Sequence, residues 1–268
     1  MDISSRMFLA KQSKLTQTLT SPFKSSLLQG KQSIDFVLDA LEVVRLHRSY
    51  IYKKAIGDKI NAKRASRVNE RLGKISNDIL DYSYLGSRTE RRILSRRLDE
   101  LIQNSEPLPF AKQLVAHGQV IRLLMFCCDS AVLRSINTED CSLQEYNSQW
   151  QSLLDTVDAL TQYRICISSV IEHGLRNPKL LLGRANNLLR KVQRCQELTL
   201  NTEHNLAKLA AQLQHSINTV ASKTSVPTSL MYQDTSDISQ ELIAVYKKIV
   251  YDQFNKSYLA KNSSSLKA

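Results

Sequence analysis

Residues 153–174, LLDTVDALTQYRICISSVIEHG, constrain the fold more than any other stretch of the chain. Leu153, Val157, Leu160, Ile167 and Ile171 recur at three- and four-residue spacing, the signature of one face of a helix. Arg164 falls on that same face, between Leu160 and Ile167. A guanidinium keeps its charge at any ordinary pH. Taking it out of water unpaired costs on the order of several kcal/mol. Arg164 therefore reaches a wet edge, pairs with an inward acid from another helix, or awaits an anion. Gly174 ends the helix, as glycine commonly does just past a C-terminus.

A second stretch repeats the arrangement. Ile34, Val37, Leu38, Leu41 and Val44 form an apolar stripe that, continued by four residues, lands on Arg48. Neither arginine has an acidic neighbour on its own stripe. Only 7 Gly and 5 Pro occur among 268 residues, so tight turns are few and long helices are favoured. With 42% hydrophobic residues and a single Trp, the chain is expected to be all-α: antiparallel helical bundles of seven to eight helices.

Punctuation divides the chain. Residues 1–32 read as a flexible basic segment with a short helix around 7–19, and 33–262 as the bundle, in one domain or two packed subdomains. The first long helix covers 33–55, ending before Gly57-Asp58. The second covers 59–85, up to Gly86. Ser87 and Glu90 have capping-box spacing and open a short, strongly charged helix. Pro109 suits the first turn of the next helix, 109–136, which is nearly apolar all round and so central. Ser142 and Glu145 repeat the capping box ahead of the helix that carries Arg164. Asn177-Pro178 starts a helix to residue 198, and 201–222 forms another. Residues 224–234, with Pro227, read as a loop. Asp237 and Gln240 open a final helix through residue 260, and 263–268 form a disordered tail.

Several function classes recede. The five cysteines include the adjacent pair Cys127 and Cys128 and no CxxC, which fits a reducing, cytoplasmic setting with small thiols in the core. The most apolar run, 114–132, carries His117, Arg122 and Asp129, so no membrane span is expected. His47, His117, His173, His204 and His215 make no HxxxH pair, so no metal site is expected. No phosphate-binding glycine loop or nucleophile motif is legible, so the chain is read as a non-enzyme without a cofactor. The net charge of +12 is concentrated at Lys53, Lys54, Lys59, Lys63, Arg64, Arg67 and Arg71, and again at Arg88, Arg91, Arg92, Arg96 and Arg97. Such a balance suggests nucleic acid, an anionic membrane or an acidic partner, and these runs could contact phosphates. Without a groove-reading motif, specific nucleic-acid binding is disfavoured.

The segment Gln162-Tyr163-Arg164 with ICISSVIEHG resembles the nitrate- and nitrite-sensing (NIT) domain of bacterial regulators. That family carries a Gln-Glu-Arg on a helix with a glycine ten positions after the arginine, and Arg164 and Gly174 keep the interval. The family's Glu-Arg-Gly on the first long helix is matched by His47-Arg48-Ser49, followed by Gly57. Residues 68–72 and 120–124 also resemble the family, and the likeness spans residues 30–220. His47, Ser49 and Tyr163 depart from the pattern. The resemblance implies an all-helical sensor in which Arg48 and Arg164 hold the anion.

Ser49, Ser168 and Ser169 are the neighbouring hydroxyls expected to add donors. The expectation is a stand-alone cytoplasmic regulator that binds nitrate or nitrite and signals through an unidentified protein partner. A homodimer is compatible with it. The alternative is a non-sensing interaction module, with internally paired arginines, whose basic face docks an acidic protein or RNA.

Overall fold

A computed structural model describes residues 22–103, 108–135, 142–199, 205–222 and 228–265. The chain is all-helical, with eight α-helices and no strand among the described residues. They are α1 (Pro22–Ala55), α2 (Ala62–Asp78), α3 (Arg88–Gln103), α4 (Phe110–Ser135), α5 (Ser142–His173), α6 (Pro178–Leu198), α7 (Leu206–Ser222) and α8 (Thr228–Ser265). A single 3-10 turn, Ile79–Asp81, follows α2.

Every helix packs on the next one in the chain, so short connections produce an up-and-down, antiparallel arrangement. The contact of α1 with α4 closes the first four helices into a ring, and that of α5 with α8 closes the last four. The rings meet along a seam where α4 touches α5 and α8, and α1 touches α8. The seam helices are the four longest, at 34, 26, 32 and 38 residues. They form a central bundle in which α1 and α5 lie diagonally opposite and do not pack directly. One apolar core runs through all eight helices. A small separate cluster of Ile51, Tyr52, Phe110, Leu114 and Tyr232 covers one end of the seam.

Local chemistry explains most of the boundaries. The Ser87 backbone N–H donates to Glu90 Oε2 at 2.6 Å, and the Glu90 N–H donates to Ser87 Oγ at 3.2 Å, a closed capping box. Asn177 accepts from the Leu180 N–H at 3.0 Å, with Pro178 at the first helical position. Gly174 (φ +72°) takes the left-handed conformation just past the end of α5, as expected, whereas Gly86 (φ +100°) takes it in the connection ahead of α3 and not at the end of α2. The Ser142 side chain of the second capping box lies outside the described residues, as do the short helix at 7–19 and residues 201–204.

Four expectations are corrected. Residues 22–32 belong to α1, where Leu27 is buried and Gly30 lets α1 approach Ser135 of α4. Helix α2 begins at Ala62, capped by Asn61, and ends at Asp78 rather than continuing to 85. Residues 228–234 are helix, not loop, and Asp237 and Gln240 lie inside α8 rather than at its start; Asp237 accepts from Gln233 one turn earlier, at 2.8 Å. Burial drives this extension, because Met231, Thr235, Ile238 and Leu242 form one stripe whose threonine interrupts the apolar count. Residues 261–265 continue α8, each added residue closing one more backbone bond.

Candidate anion site

The seam places Arg48 on α1 and Arg164 on α5, on diagonal helices that converge at one level of the bundle. Their exposures are 4% and 2%, so neither reaches a wet edge. No carboxylate among the described residues pairs with either of them, although exposed ion pairs are common elsewhere, as between Arg71 and Asp39 or Arg122 and Asp158. Among the described residues, the acid partner that a buried guanidinium ordinarily requires is missing.

Neutral groups from α8 take its place. Arg164 donates from Nε to Thr235 Oγ1 at 3.1 Å and from Nη2 to the Thr235 carbonyl. Arg48 donates from Nη2 to Ser239 Oγ at 3.0 Å. The face of Tyr232 lies 5.9 Å from the Arg164 guanidinium carbon, a cation–π distance. The Tyr232 hydroxyl is near enough to Arg48 to favour its charge, without meeting hydrogen-bond geometry. Tyr232, Thr235 and Ser239, at i, i+3 and i+7, are one face of α8 turned toward both arginines.

The electrostatics of this layer are those of an uncompensated cation site. Burial lowers the pKa of Arg48, and burial together with the charge of Arg48 lowers that of Arg164. Arg45, bridged to Glu42 at 2.9 Å, pushes both the same way. A guanidinium keeps its proton regardless, so the layer holds two like charges in a medium of low polarisability.

Two histidines complete it. His117 of α4 has Nδ1 2.7 Å from the Gln113 carbonyl and Nε2 2.8 Å from His47 Nδ1. Burial drives both imidazoles neutral, His47 down to about 4 and His117 well below its ordinary value, the latter also through His47, Arg48 and Arg164. A carbonyl accepts only, so His117 carries its proton on Nδ1. Its Nε2 then accepts from the Nδ1–H of His47.

Beside the guanidiniums is a cavity of about 20 Å³, lined by Arg48, Arg164, Thr161 and Ser239 on its polar side and by Leu41, Ile121, Leu153 and Leu160 among its apolar walls. That is room for about one water-sized occupant. On the other side, Tyr232 stacks on Tyr52 with ring centroids 3.3 Å apart and planes 3° from parallel. Phe110 tilts against both rings. The arginine layer thus sits between an aromatic cap and an apolar pocket.

Of the residues expected from sequence, Arg48 and Arg164 come together and the serines do not join them. The Ser168 hydroxyl donates to the Ile165 carbonyl at 2.8 Å, Ser49 is half-buried away from the cavity, and Ser169 is exposed. Thr235, Ser239 and Tyr232 hold the positions assigned to them. The helical spacing from Tyr232 to Ser239 was the available signal, masked by the reading of 224–234 as a loop. Among the described residues no three His, Cys, Asp or Glu side chains converge as metal ligands. Helix α4 is long and apolar enough to cross a membrane, and half of its apolar window is buried within the bundle.

The basic helices α2 and α3 present Lys63, Arg64, Arg67, Arg88 and Arg92 to solvent, while Arg71, Arg91, Arg96 and Arg97 bond to acceptors on the protein. No protein-family model matches the chain, and neither a curated protein nor a solved structure matches it.

Proposed function

We propose that this chain is a sensing domain for a small oxyanion, held between Arg48 and Arg164, that acts through a protein partner. One observation carries the reading: two guanidiniums share a buried layer in which no described carboxylate neutralises either. Such a layer is short of one or two negative charges. A monoanion supplies them with acceptor oxygens that match the guanidinium forks. The resemblance to the nitrate- and nitrite-sensing family points to nitrate or nitrite. The small cavity and its apolar walls favour an anion that is cheap to dehydrate and disfavour phosphate or sulfate.

The position on the seam supplies a mechanism. Arg48 belongs to the first ring and Arg164 to the second, on helices whose backbones do not pack side by side. An anion between them draws the rings together and relieves their mutual repulsion. It shifts the conformational balance by as much as it binds one arrangement better than the other. The alternative of a docking module needs internally paired arginines, for which the described residues offer hydroxyls and a carbonyl but no acid.

Thermal unfolding in nitrate, nitrite, chloride and acetate at matched ionic strength tests the reading. A ligand at about 100 times its Kd stabilises by roughly 2.7 kcal/mol, on the order of 5–10 °C for a chain this long. Melting at one temperature in all four salts sinks it.

A further inference from the structure

We infer that the Ser239 hydroxyl is the third donor of this anion site, joining α8 to the two arginines through the bound oxyanion. The inference rests on the anion reading above and deepens it. Ser239 is 5% exposed and lines the cavity together with Arg48, Arg164 and Thr161. Its oxygen accepts from Arg48 Nη2 at 3.0 Å. Among the described residues nothing accepts its hydrogen in turn. Buried donors seldom go unsatisfied, and this one borders the space beside two uncompensated cations.

The surroundings give that hydrogen a direction. A hydroxyl that accepts from a guanidinium turns a lone pair to the cation and its hydrogen away from it. A serine inside a helix ordinarily donates to a carbonyl one turn back, as Ser130 does to Phe126 at 3.1 Å and Ser135 to Ala131 at 2.7 Å. The carbonyl one turn back from Ser239 is that of Thr235, which receives Arg164 Nη2 instead. The cavity is the space that remains. Thr161, the other hydroxyl on its wall, gives its hydrogen to the Val157 carbonyl at 3.0 Å. Thr235 gives its own to the Tyr232 carbonyl at 2.7 Å and does not line the cavity. Ser239 is therefore the hydroxyl with a hydrogen to offer there. An oxyanion seated against the two guanidinium forks accepts from Ser239 as well, so α1, α5 and α8 close on one ligand.

Calorimetric titration of nitrate and of nitrite into the full chain, into Ser239→Ala and into Thr235→Val tests the assignment. Alanine is the better helix former, so Ser239→Ala keeps α8. It should weaken both anions roughly ten- to hundredfold, the effect of one hydrogen bond to a charged group. Thr235→Val is the matched control. It too removes a hydroxyl that accepts from a buried arginine, but one whose hydrogen is already taken, and the residue's carbonyl still holds Arg164. Its affinities should stay within about twofold of wild type, since the cavity loses no donor. Equal affinity in wild type and Ser239→Ala overturns the assignment. So does an equal loss in Thr235→Val, which would trace the effect to arginines slackened by a missing acceptor. A wild-type chain that takes up neither anion overturns the anion reading itself, and this assignment with it.

Discussion

Arg164 is held twice by Thr235, through the threonine's hydroxyl and through its backbone carbonyl, so a fully buried guanidinium in this protein rests on one neutral residue. These bonds satisfy donors and leave the charge uncompensated. Arg48 adds a second such charge and feels the first.

Replacing either arginine with an apolar side chain of similar length should therefore cost the fold little. Arg164→Met removes a desolvated charge and a repulsion, and gives up two hydrogen bonds and a contact with Tyr232. Thr235 keeps its own bond to the Tyr232 carbonyl at 2.7 Å, so no hydroxyl is stranded. The expected change lies between zero and about 2 kcal/mol of added stability, within the range for buried charges exchanged for hydrophobes. Urea midpoints measure it. A loss above about 2 kcal/mol would mean that the charge supports the fold through a partner carboxylate. Anion-dependent stabilisation should vanish in the same variant.

The His47–His117 chain sets an acid limit. A histidine held neutral in the folded state at a pKa of about 4, against about 6.5 when unfolded, binds its proton more readily in the unfolded chain. Its contribution is complete above about pH 6.5 and is lost as pH falls toward 4. For His47 the window spans about 2.5 units, or roughly 3 kcal/mol. Melting temperatures should fall through this range, and His47→Gln should flatten the descent. An unchanged slope in His47→Gln would place the acid sensitivity elsewhere.

The helical layout was legible because its signals are local. The apolar stripes of α1 and α5, the Ser87–Glu90 box, the Asn177 cap and Gly174 each depend on residues within a turn or two of one another. The inward position of both arginines followed from the same stripes. What they face did not, because Thr235 and Ser239 come from α8, 71 and 191 residues away in the chain. Periodicity finds apolar faces, and the start of α8 buries polar residues on its stripe. That turned Tyr232 into an expected loop residue and gave the donor positions to Ser49 and Ser168.

Gly118 is required by the approach of α4 to α5. A Cβ there would stand 2.7 Å from Thr161 Cγ2 and 2.9 Å from its Oγ1. Thr161 is β-branched and bonded to the Val157 carbonyl at 3.0 Å, so it turns away only with difficulty. Within a helix, Gly→Ala ordinarily stabilises by up to about 1 kcal/mol. Here overpacking should reverse the sign, leaving Gly118→Ala about 1–3 kcal/mol less stable. Thr161 also lines the cavity beside Arg164, so the variant should bind nitrate more weakly than its lowered stability alone explains. Pairing Gly118→Ala with Thr161→Ser separates the two, since the smaller side chain should recover most of the melting temperature.

Binding across the seam should leave a specific imprint on backbone exchange. Arg48, Arg164 and the Tyr232–Ser239 face belong to α1, α5 and α8, and openings that separate these helices destroy the site. A ligand slows only those openings, by its own binding free energy. Nitrate at about 100 times its Kd should slow exchange up to roughly a hundredfold at amides around 45–52, 161–168 and 231–239. Amides in α2 and α3, which touch neither arginine, should exchange at their original rates wherever they open without the seam. Uniform slowing throughout the chain would mean that the rings open only together, and that the anion stabilises the whole fold without biasing one ring against the other. Protection confined to the seam would locate the bistable element that a partner must read, namely the relative placement of α1 and α5, whose backbones do not pack side by side.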